Sequence, residues 1–364
     1  MKTLTIGSAM IDTIAIIESN RIERMSMLNA ETSYLLLAEG LKTEALEIST
    51  HCGGGAVNTA VSMARLGHDV ATLVVLGRDQ RAESLLTQLM QEGISTRWAK
   101  RDPRAATGAS VLVSSHERNA AIFTFRGANT LLESADLKPD AFNVDLVHVS
   151  GLSNKSADCF GEIVTKAKAA GAFVSTNPGI RQLSSRTLEM ENLFDRIDVL
   201  SVNRTEAAAL VPSLVAAFGE STVPLDTSGN EPQTPLARHG LASGGYTISL
   251  RTLLQGLIRM GLGHVLVTDG AAGAYLASRD RIYFCPTVKT KVAGTAGAGD
   301  AFVSTLACHL AEGASIEVAM QAASLNAAAV VANVDTQTGL MNRAALDAAR
   351  AARAAELPIM TWAL

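Results

Sequence analysis

Short apolar runs alternate with amphipathic stretches along most of the chain. KTLTIG at 2–7, DVATLVVLG at 69–77 and VDLVHVSG at 144–151 are apolar runs that end at glycine, as buried strands do. Further strands of this kind are predicted at 172–179, 196–203 and 263–270, and helices at 53–67, 78–93, 157–171, 300–313 and 314–332. Short buried strands separated by helices predict an α/β fold, in which a mostly parallel sheet has helices on both faces.

Two segments each contain strand patterns that are not separated from one another by a helix. The segment at about 12–50 contains the alternations TIAII and SYLLLAE, and the segment at 107–126 predicts a hairpin that turns at 116–119. We expect the two segments to form a small sheet apart from the main one. Residues 213–248 are rich in Ser, Thr, Pro and Gly and predict a long, partly mobile insertion. All of these segments fit one domain spanning 1–364.

Composition narrows the class of protein. The 364 residues are 48% hydrophobic and 18% charged, which excludes a largely disordered chain. The 31 Lys and Arg residues are outnumbered by 35 Asp and Glu residues, so a nucleic-acid partner is not expected. No apolar run is long enough to cross a membrane, and the first residues lack a signal-peptide cleavage site, so a cytoplasmic protein is predicted. The cysteines are too far apart for a CxxC pair: Cys52, Cys159, Cys285 and Cys308.

A glycine-rich stretch before a late helix is the strongest candidate for chemistry. Small residues leave the backbone N–H groups at a helix start unobstructed, and the helix dipole adds positive charge, which suits phosphate oxygens. Asp300 stands at that start and is either a helix-capping carboxylate or a general base for a substrate hydroxyl. The small residues before it favour the base, because a cap does not require Gly297, Ala298 and Gly299.

At four motifs, in the family's order, the chain resembles the ribokinase/PfkB carbohydrate kinases. The family's C-terminal signature, D-T-x-G-A-G-D, is matched by residues 294–300 except at its first position. Its N-terminal signature, glycines followed by an Asn and a helix ending A-R-L-G, is matched by residues 53–67. The other two motifs are Asn-x-x-Glu, matched by Asn203 and Glu206, and Thr-x-Gly, matched by Thr268 and Gly270.

The resemblance implies a fold, an activity and partners. The fold would be ribokinase-like, with the small sheet acting as a lid that excludes water from the sugar. The activity would be ATP-dependent phosphorylation of a hydroxyl of a sugar or sugar-like small molecule, with Mg²⁺. A homodimer formed through the lid is also implied.

The resemblance also implies roles for individual residues. Asp300 would be the catalytic base, and the amides of Gly297, Ala298 and Gly299 would form the anion hole. Substrate hydroxyls would be bound by Asp12, Gly54 and Asn58. Mg²⁺ and the phosphates would be placed through water by Asn203 and Glu206, and the nucleotide site would be lined by Thr268, Gly270 and Asn326.

The chain departs from the family at three places. The first Asp of the C-terminal signature, linked in the family to a monovalent-cation site, is Gly294, so activation by potassium is not expected unless Asp335 substitutes. Ribokinase carries a Glu on the strand before the substrate where this chain has Gly151, so ribose is not the favoured substrate. The stretch between Glu206 and Thr268 is longer than in the family, in line with the predicted insertion.

Several alternatives stay open. Arg126 and Arg181 follow strands that should end near the pocket; they are either surface arginines or, as in acid-sugar kinases, cations that bind a carboxylate. A nucleoside (adenosine-like) kinase is a further alternative. From other classes, a dinucleotide-binding oxidoreductase would use the glycines before a helix and Asp79, although Asn58 stands where its fingerprint needs Gly. A non-catalytic ligand-binding homologue would explain the missing Asp at 294.

Overall fold

A nine-stranded sheet forms the centre of the molecule in the computed structural model, which describes residues 1–18, 23–26, 33–36, 40, 42–115, 120–225 and 234–364. From edge to edge the strands are β6 (Asp69–Leu73), β1 (Lys2–Ile6), β11 (Leu146–Ser150), β12 (Phe173–Asn177), β13 (Val199–Asn203), β16 (His264–Thr268), β17 (Ala274–Ser278), β18 (Arg281–Cys285) and β19 (Met360–Ala363). All neighbours from β6 to β16 are parallel, which confirms the predicted mostly parallel sheet.

The last three strands pair antiparallel and were not predicted. β17 and β18 are joined by a two-residue turn at 279–280 instead of a helix. The alternation of strand and helix from which the sheet was predicted therefore stops at β16.

Helices cover both faces of this sheet, as predicted. They are α1 (Gly55–Arg65), α2 (Gln80–Gln91), α3 (Phe160–Ala169), α4 (Ile180–Ser185), α5 (Thr187–Glu191), α6 (Arg204–Ala209), α7 (Val211–Phe218), α8 (Pro235–His239), α9 (Leu250–Arg259), α10 (Ala298–Ala311), α11 (Ile316–Val331) and α12 (Arg343–Arg353). β16 shows the two cores most clearly. Its Val265 and Val267 pack in the core that includes α3 and α9, whereas Leu266 packs in the core that includes α1, α10 and α11.

A separate sheet of four strands confirms the predicted small sheet. Its order is β10 (Ala120–Phe125), β9 (Gly108–Ser115), β2 (Met10–Ile17) and β5 (Ala45–Gly53), and only the central pair, β9 with β2, is parallel. The predicted turn at 116–119 lies outside the described residues, as does part of the segment 12–50. Short two-stranded ribbons complete the fold: β3 (Glu23–Ser26) with β4 (Ser33–Leu36), β7 (Val75–Leu76) with β8 (Lys100–Arg101), and β14 (Leu241–Ser243) with β15 (Tyr246–Ile248).

The segment 213–248, predicted as an insertion, contains regular structure where it is described. It begins inside α7, where Leu214 is buried in the core, and it includes α8 and the ribbon of β14 and β15. Residues 226–233 lie outside the described part of the chain. That the segment is an insertion stays a prediction.

Among the helices that the structure describes, none is both long and apolar enough to span a membrane. All four cysteines are free thiols, and Cys159, Cys285 and Cys308 are buried.

Candidate active site

The candidate site lies at the carboxyl ends of the parallel strands, the edge at which open α/β sheets bind ligands. Ser150 is the last residue of β11, and a Cβ added to Gly55 would lie 2.7 Å from its Oγ and 3.7 Å from Oδ1 of Asp300. A Cβ added to Gly53 would collide with the Asp12 carboxylate. The glycines therefore let the start of α1 approach Asp12 and Asp300 closely.

Gly54 occupies a backbone conformation that other residues rarely adopt. Its φ is +98°, and a Cβ there would lie 2.5 Å from the Ser8 carbonyl oxygen. Ser8 also accepts hydrogen bonds from the next two amides, from Gly55 N to its Oγ at 3.0 Å and from Ala56 N to its carbonyl at 3.1 Å. Hydrogen bonds to the hydroxyl and the carbonyl of Ser8 thus fix the turn at Gly54, whose backbone was predicted to bind substrate.

Asp300 is the third residue of α10, and its side chain does not cap that helix. Gly297 is the residue before the helix and makes no side-chain cap, while Asp300 Oδ2 accepts a hydrogen bond of 2.8 Å from Asn58 Nδ2. The geometry therefore does not support the capping interpretation of this carboxylate.

The surroundings of Asp300 favour a carboxyl that can take up a proton. Burial raises its pKa to about 6, the hydrogen bond from Asn58 opposes this rise, and the negative charges of Glu206 and Asp12 add to it. A general base works best when its pKa lies near the operating pH. The raised pKa of Asp300 is closer to neutral pH than that of an ordinary Asp. Asp300, Glu206 and Asp12 lie near enough for their charges to interact.

Asn58 is buried, and both polar atoms of its side chain form hydrogen bonds. Its Oδ1 accepts hydrogen bonds of 2.9 Å from Thr336 Oγ1 and from Gln337 Nε2, while its Nδ2 donates to Asp300. Asn58 was predicted to bind substrate hydroxyls, and the structure directs its amide at Asp300. Thr336 and Gln337 were missed by the sequence analysis, because they lie 278 and 279 positions away and belong to no recognisable motif.

The start of α10 is open on one side and packed on the other. Gly299 is exposed, and a Cβ added there would have no neighbour within 4 Å. Gly297 has a left-handed φ of 79°, and a Cβ there would lie 2.6 Å from Thr336 Cβ. The first N–H groups of a helix have no acceptor within the helix, so the amides of Ala298 and Gly299 can bind an anion from the open side.

Asp12 lies on β2 of the small sheet and is held by its neighbours. It pairs in register with Ser110 on β9 and His51 on β5, and it accepts a hydrogen bond from the Ser110 hydroxyl. Burial raises the pKa of Asp12, although the Ser110 hydrogen bond and the charge of His51 oppose the rise. Ser110 was not predicted, and the pairing of β2 with β9 explains its position.

Asn203 and Glu206 form a reciprocal capping box at the start of α6. Asn203 Oδ1 accepts from Glu206 N at 2.9 Å, and Glu206 Oε2 accepts from Asn203 N at 2.9 Å. Burial raises the pKa of Glu206, and its hydrogen bonds with Asn203 oppose this. The N-x-x-E spacing by itself predicts such a box, a signal that the sequence analysis did not use.

In the part of the chain that the structure describes, no cluster of three His, Cys, Asp or Glu side chains could hold a metal ion.

The predicted nucleotide residues are only partly brought together. Thr268 pairs with Asn203 across β16 and β13, and Gly270 follows with φ +54° and open space around it. Asn326 is fully buried instead: it donates to Thr305 Oγ1 at 2.9 Å and accepts from Met341 N at 2.9 Å. These two hydrogen bonds tie α11 to α10 and to the segment before α12, and neither of them joins Asn326 to another predicted site residue.

Two arginines lie close to each other beside the loop that follows β11. Arg126 Nη1 donates to Ser153 Oγ at 2.6 Å, and both burial and the nearby charge of Arg181 lower the pKa of Arg126. Arg181 is exposed on α4. Neither arginine forms an ion pair with any carboxylate of the described residues.

Gly294 packs closely against the loop that contains Asp335. A Cβ on Gly294 would lie 3.1 Å from the Val334 carbonyl oxygen. Asp335 Oδ1 accepts from Gln337 N at 2.8 Å and from Thr338 N at 2.7 Å. Burial would raise the pKa of Asp335, but these hydrogen bonds outweigh it, so the pKa is lowered. Asp335 therefore closes its own loop, and its predicted role at a cation site stays untested.

Comparisons with known proteins agree with the fold and the motifs. A model of the pfkB family carbohydrate kinases matches residues 2–222 and 247–343. The deoxyribokinase of Salmonella typhi is 26% identical over 327 residues, which cover 89% of this chain and 94% of that protein. The ribokinase of Mus musculus is 27% identical and is covered over 80% of its length by 79% of this chain.

A solved structure has the same fold. Arabidopsis thaliana ribokinase complexed with ribose and ATP superimposes with a TM-score of 0.69 at 20% identity, over 95% of this chain and 97% of that chain. This confirms the predicted ribokinase-like fold. Because the family model matches well over half of the chain and the predicted motifs fall within the match, the chain belongs to the pfkB family of carbohydrate kinases.

Proposed function

We propose that this carbohydrate kinase phosphorylates a hydroxyl group of a sugar-like small molecule with Asp300 as the general base. One observation supports the proposal most strongly. The Asp300 carboxyl, with a pKa of about 6, lies beside the open start of α10 and in the same charged region as Asp12. A base, an anion-binding turn and a hydroxyl-binding carboxylate are the parts that phosphoryl transfer to an alcohol requires.

In the proposed reaction Asp300 accepts the proton of the substrate hydroxyl while that oxygen attacks the γ-phosphorus of ATP. The bond from the γ-phosphorus to the bridging oxygen breaks, and ADP leaves. The amides of Gly297, Ala298 and Gly299 stabilise the charge on the γ-phosphoryl oxygens. Mg²⁺ would enter with the nucleotide and neutralise phosphate charge, and Glu206 with Asn203 would bind it through water.

Asp12 and the backbone of Gly54 would bind the substrate hydroxyls. Asp12 lies on the small sheet, and its side chain adjoins Gly53, the last residue of β5. We infer that this sheet acts as a lid over the sugar. Thr268 and Gly270, at the end of β16, would line the nucleotide site.

A second candidate function is supported by Arg126 and Arg181. The two cations lie close enough for the charge of one to lower the pKa of the other, and no described carboxylate neutralises them. Arg126 contacts Ser153, three residues after Ser150 of the candidate site. Two uncompensated guanidinium groups beside a sugar site favour a substrate with a carboxylate, that is, an acid sugar.

We also propose that two copies associate through the small sheet. Phe123 and Phe125 on β10 and Ile48 on β5 share one face of that sheet by their register, and their exposed fractions are 61%, 53% and 67%. Large apolar side chains grouped on one face of a sheet mark an interaction surface. A second copy offers the same face and would bury it by two-fold symmetry.

The test is a panel of neutral sugars, sugar acids and nucleosides, each incubated with protein, ATP and Mg²⁺ while ADP is measured. We expect ADP formation that depends on one substrate class, with the product identified as a phosphate monoester by ³¹P NMR. A sugar acid as the best substrate would favour the arginine-based candidate, and a nucleoside would overturn both. ADP at the background level across the whole panel would refute the proposed function.

A further inference from the structure

A chain of hydrogen bonds between buried amides connects the small sheet with Asp300. Gln337 Nε2 donates to the backbone carbonyl of Cys52 at 3.0 Å and to Asn58 Oδ1 at 2.9 Å. Asn58 Nδ2 then donates to Asp300 Oδ2 at 2.8 Å. Cys52 lies near the end of β5, so one side chain bridges the small sheet and the residue that contacts the candidate base.

The chemistry of each group fixes which way the amides face. A backbone carbonyl can only accept, so the Gln337 atom next to Cys52 must be the NH2 nitrogen. The same nitrogen faces Asn58, which must therefore present its oxygen. The Asn58 NH2 group is then left to face Asp300, whereas an inverted Asn58 would place its oxygen against the carboxylate.

Gln337 forms further hydrogen bonds. Its side-chain oxygen accepts from Gln88 Nε2 at 2.5 Å, and its backbone carbonyl accepts from Arg65 Nη1 at 2.7 Å. Asn58 and Gln337 are each only 4% exposed, so water competes little for these bonds. Thr336 adds a second donor to Asn58 Oδ1, from its hydroxyl at 2.9 Å.

From this geometry we propose that Gln337 is a positioning residue, which keeps the NH2 group of Asn58 directed at Asp300 and so favours the ionised, proton-accepting form of that carboxyl. The inference rests on the proposed function, since it concerns the same base. Thr336 supports the same orientation.

The test is the pH dependence of activity in Gln337→Met, which keeps the length of the side chain but removes both N–H donors. Loss of a hydrogen bond to the charged form raises a carboxyl pKa, so the acid limb of kcat/KM should move up by about one pH unit. At pH 6 the variant should be roughly five- to sixfold slower, with the loss approaching about 10-fold at lower pH and recovery at higher pH. KM for ATP should be unchanged.

Gln88→Met is the matched control. It removes a hydrogen bond to Gln337 but leaves those from Gln337 to Cys52 and Asn58, so we expect the wild-type pH profile. An equal shift in both variants would mean that Gln337 acts only through packing and would overturn the proposal.

A second readout does not depend on activity. The pKa of Asp300 can be followed by ¹³C NMR of carboxyl-labelled protein, with the resonance assigned from its loss in Asp300→Asn. We expect a higher midpoint in Gln337→Met than in wild type, even if no substrate has been found. If Gln337→Met does not fold, Thr336→Val should show a smaller shift in the same direction. Equal midpoints in wild type and a folded variant would refute the inference and leave the proposed function untouched.

Discussion

Asp300 is a residue whose environment opposes its own charge. Burial and the neighbouring carboxylates of Glu206 and Asp12 raise its pKa to about 6, and only the hydrogen bond from Asn58 favours the ionised form. A carboxyl whose pKa is higher in the folded than in the unfolded chain stabilises the fold at low pH. That stability is lost as the pH rises through the folded pKa. Asp300 therefore destabilises the folded protein at neutral pH, as is common for groups kept for function.

Asp300→Asn should accordingly stabilise the protein at neutral pH. An uncharged amide can still accept the hydrogen bond from Asn58 and avoids the burial of a charge. We expect Tm to rise by about 2 to 4 °C at about pH 8, and the difference to narrow as the pH falls towards 4. Differential scanning calorimetry of both proteins across this range measures the effect. A lower Tm for the variant at every pH would contradict the assigned environment.

At the scale of elements, the turn before α10 shows what the sequence motif encodes and what it leaves open. The run of small residues before Asp300 predicted an anion-binding helix start, and the structure has an open turn there. The motif did not reveal that Gly297 and Gly299 serve different purposes. Gly297 has a left-handed φ and packs against Thr336, whereas Gly299 faces open space. Nothing in the sequence near 297 indicates that contact, because Thr336 comes from a distant loop.

Gly297→Ala and Gly299→Ala form a matched pair. Ala at 297 adds left-handed strain and a contact that the Thr336 side chain must relieve, so the free energy of unfolding should fall by about 2 kcal/mol. Ala at 299 lies in helical backbone with free space, and its free energy of unfolding should stay within about 0.5 kcal/mol of wild type. Guanidinium chloride titrations give both values. Equal losses in the two variants would argue against the geometry of this turn.

At the scale of the whole molecule, the parallel sheet assembles the site from distant parts of the chain. Asn58 and Asp300 are 242 positions apart and form a direct hydrogen bond. The sequence implied that they meet only through the resemblance to the kinase family, whose two signatures contain these residues, because neither α1 nor α10 follows a parallel strand of the central sheet. It could not predict Thr336, Gln337 or Ser110, which join the site through loop packing and strand register. The antiparallel strands β17 and β18 were missed because a tight turn, instead of a helix, joins them, and β19, which follows α12, was also missed.

The proposed association of two copies also belongs to this scale. Phe123 and Ile122 are neighbours on β10 that face opposite sides of the small sheet, and both are more than half exposed. A charge at 123 would have to be buried between the copies, so Phe123→Glu should give a monomer, while Ile122→Glu should leave the mass unchanged. Sedimentation equilibrium at protein concentrations of about 1 to 50 μM detects the dissociation of a dimer whose Kd lies in that range. A monomeric wild-type protein, or a dimeric Phe123→Glu, would contradict the interface.

The most direct test of the account is the turnover of Asp300→Asn with the substrate class that the panel identifies. If Asp300 accepts the proton of the attacking hydroxyl, kcat should fall by roughly 10²- to 10⁴-fold while KM for the sugar changes little. A variant that folds, binds ATP and keeps kcat within about threefold of wild type would contradict the assignment of Asp300 as the base.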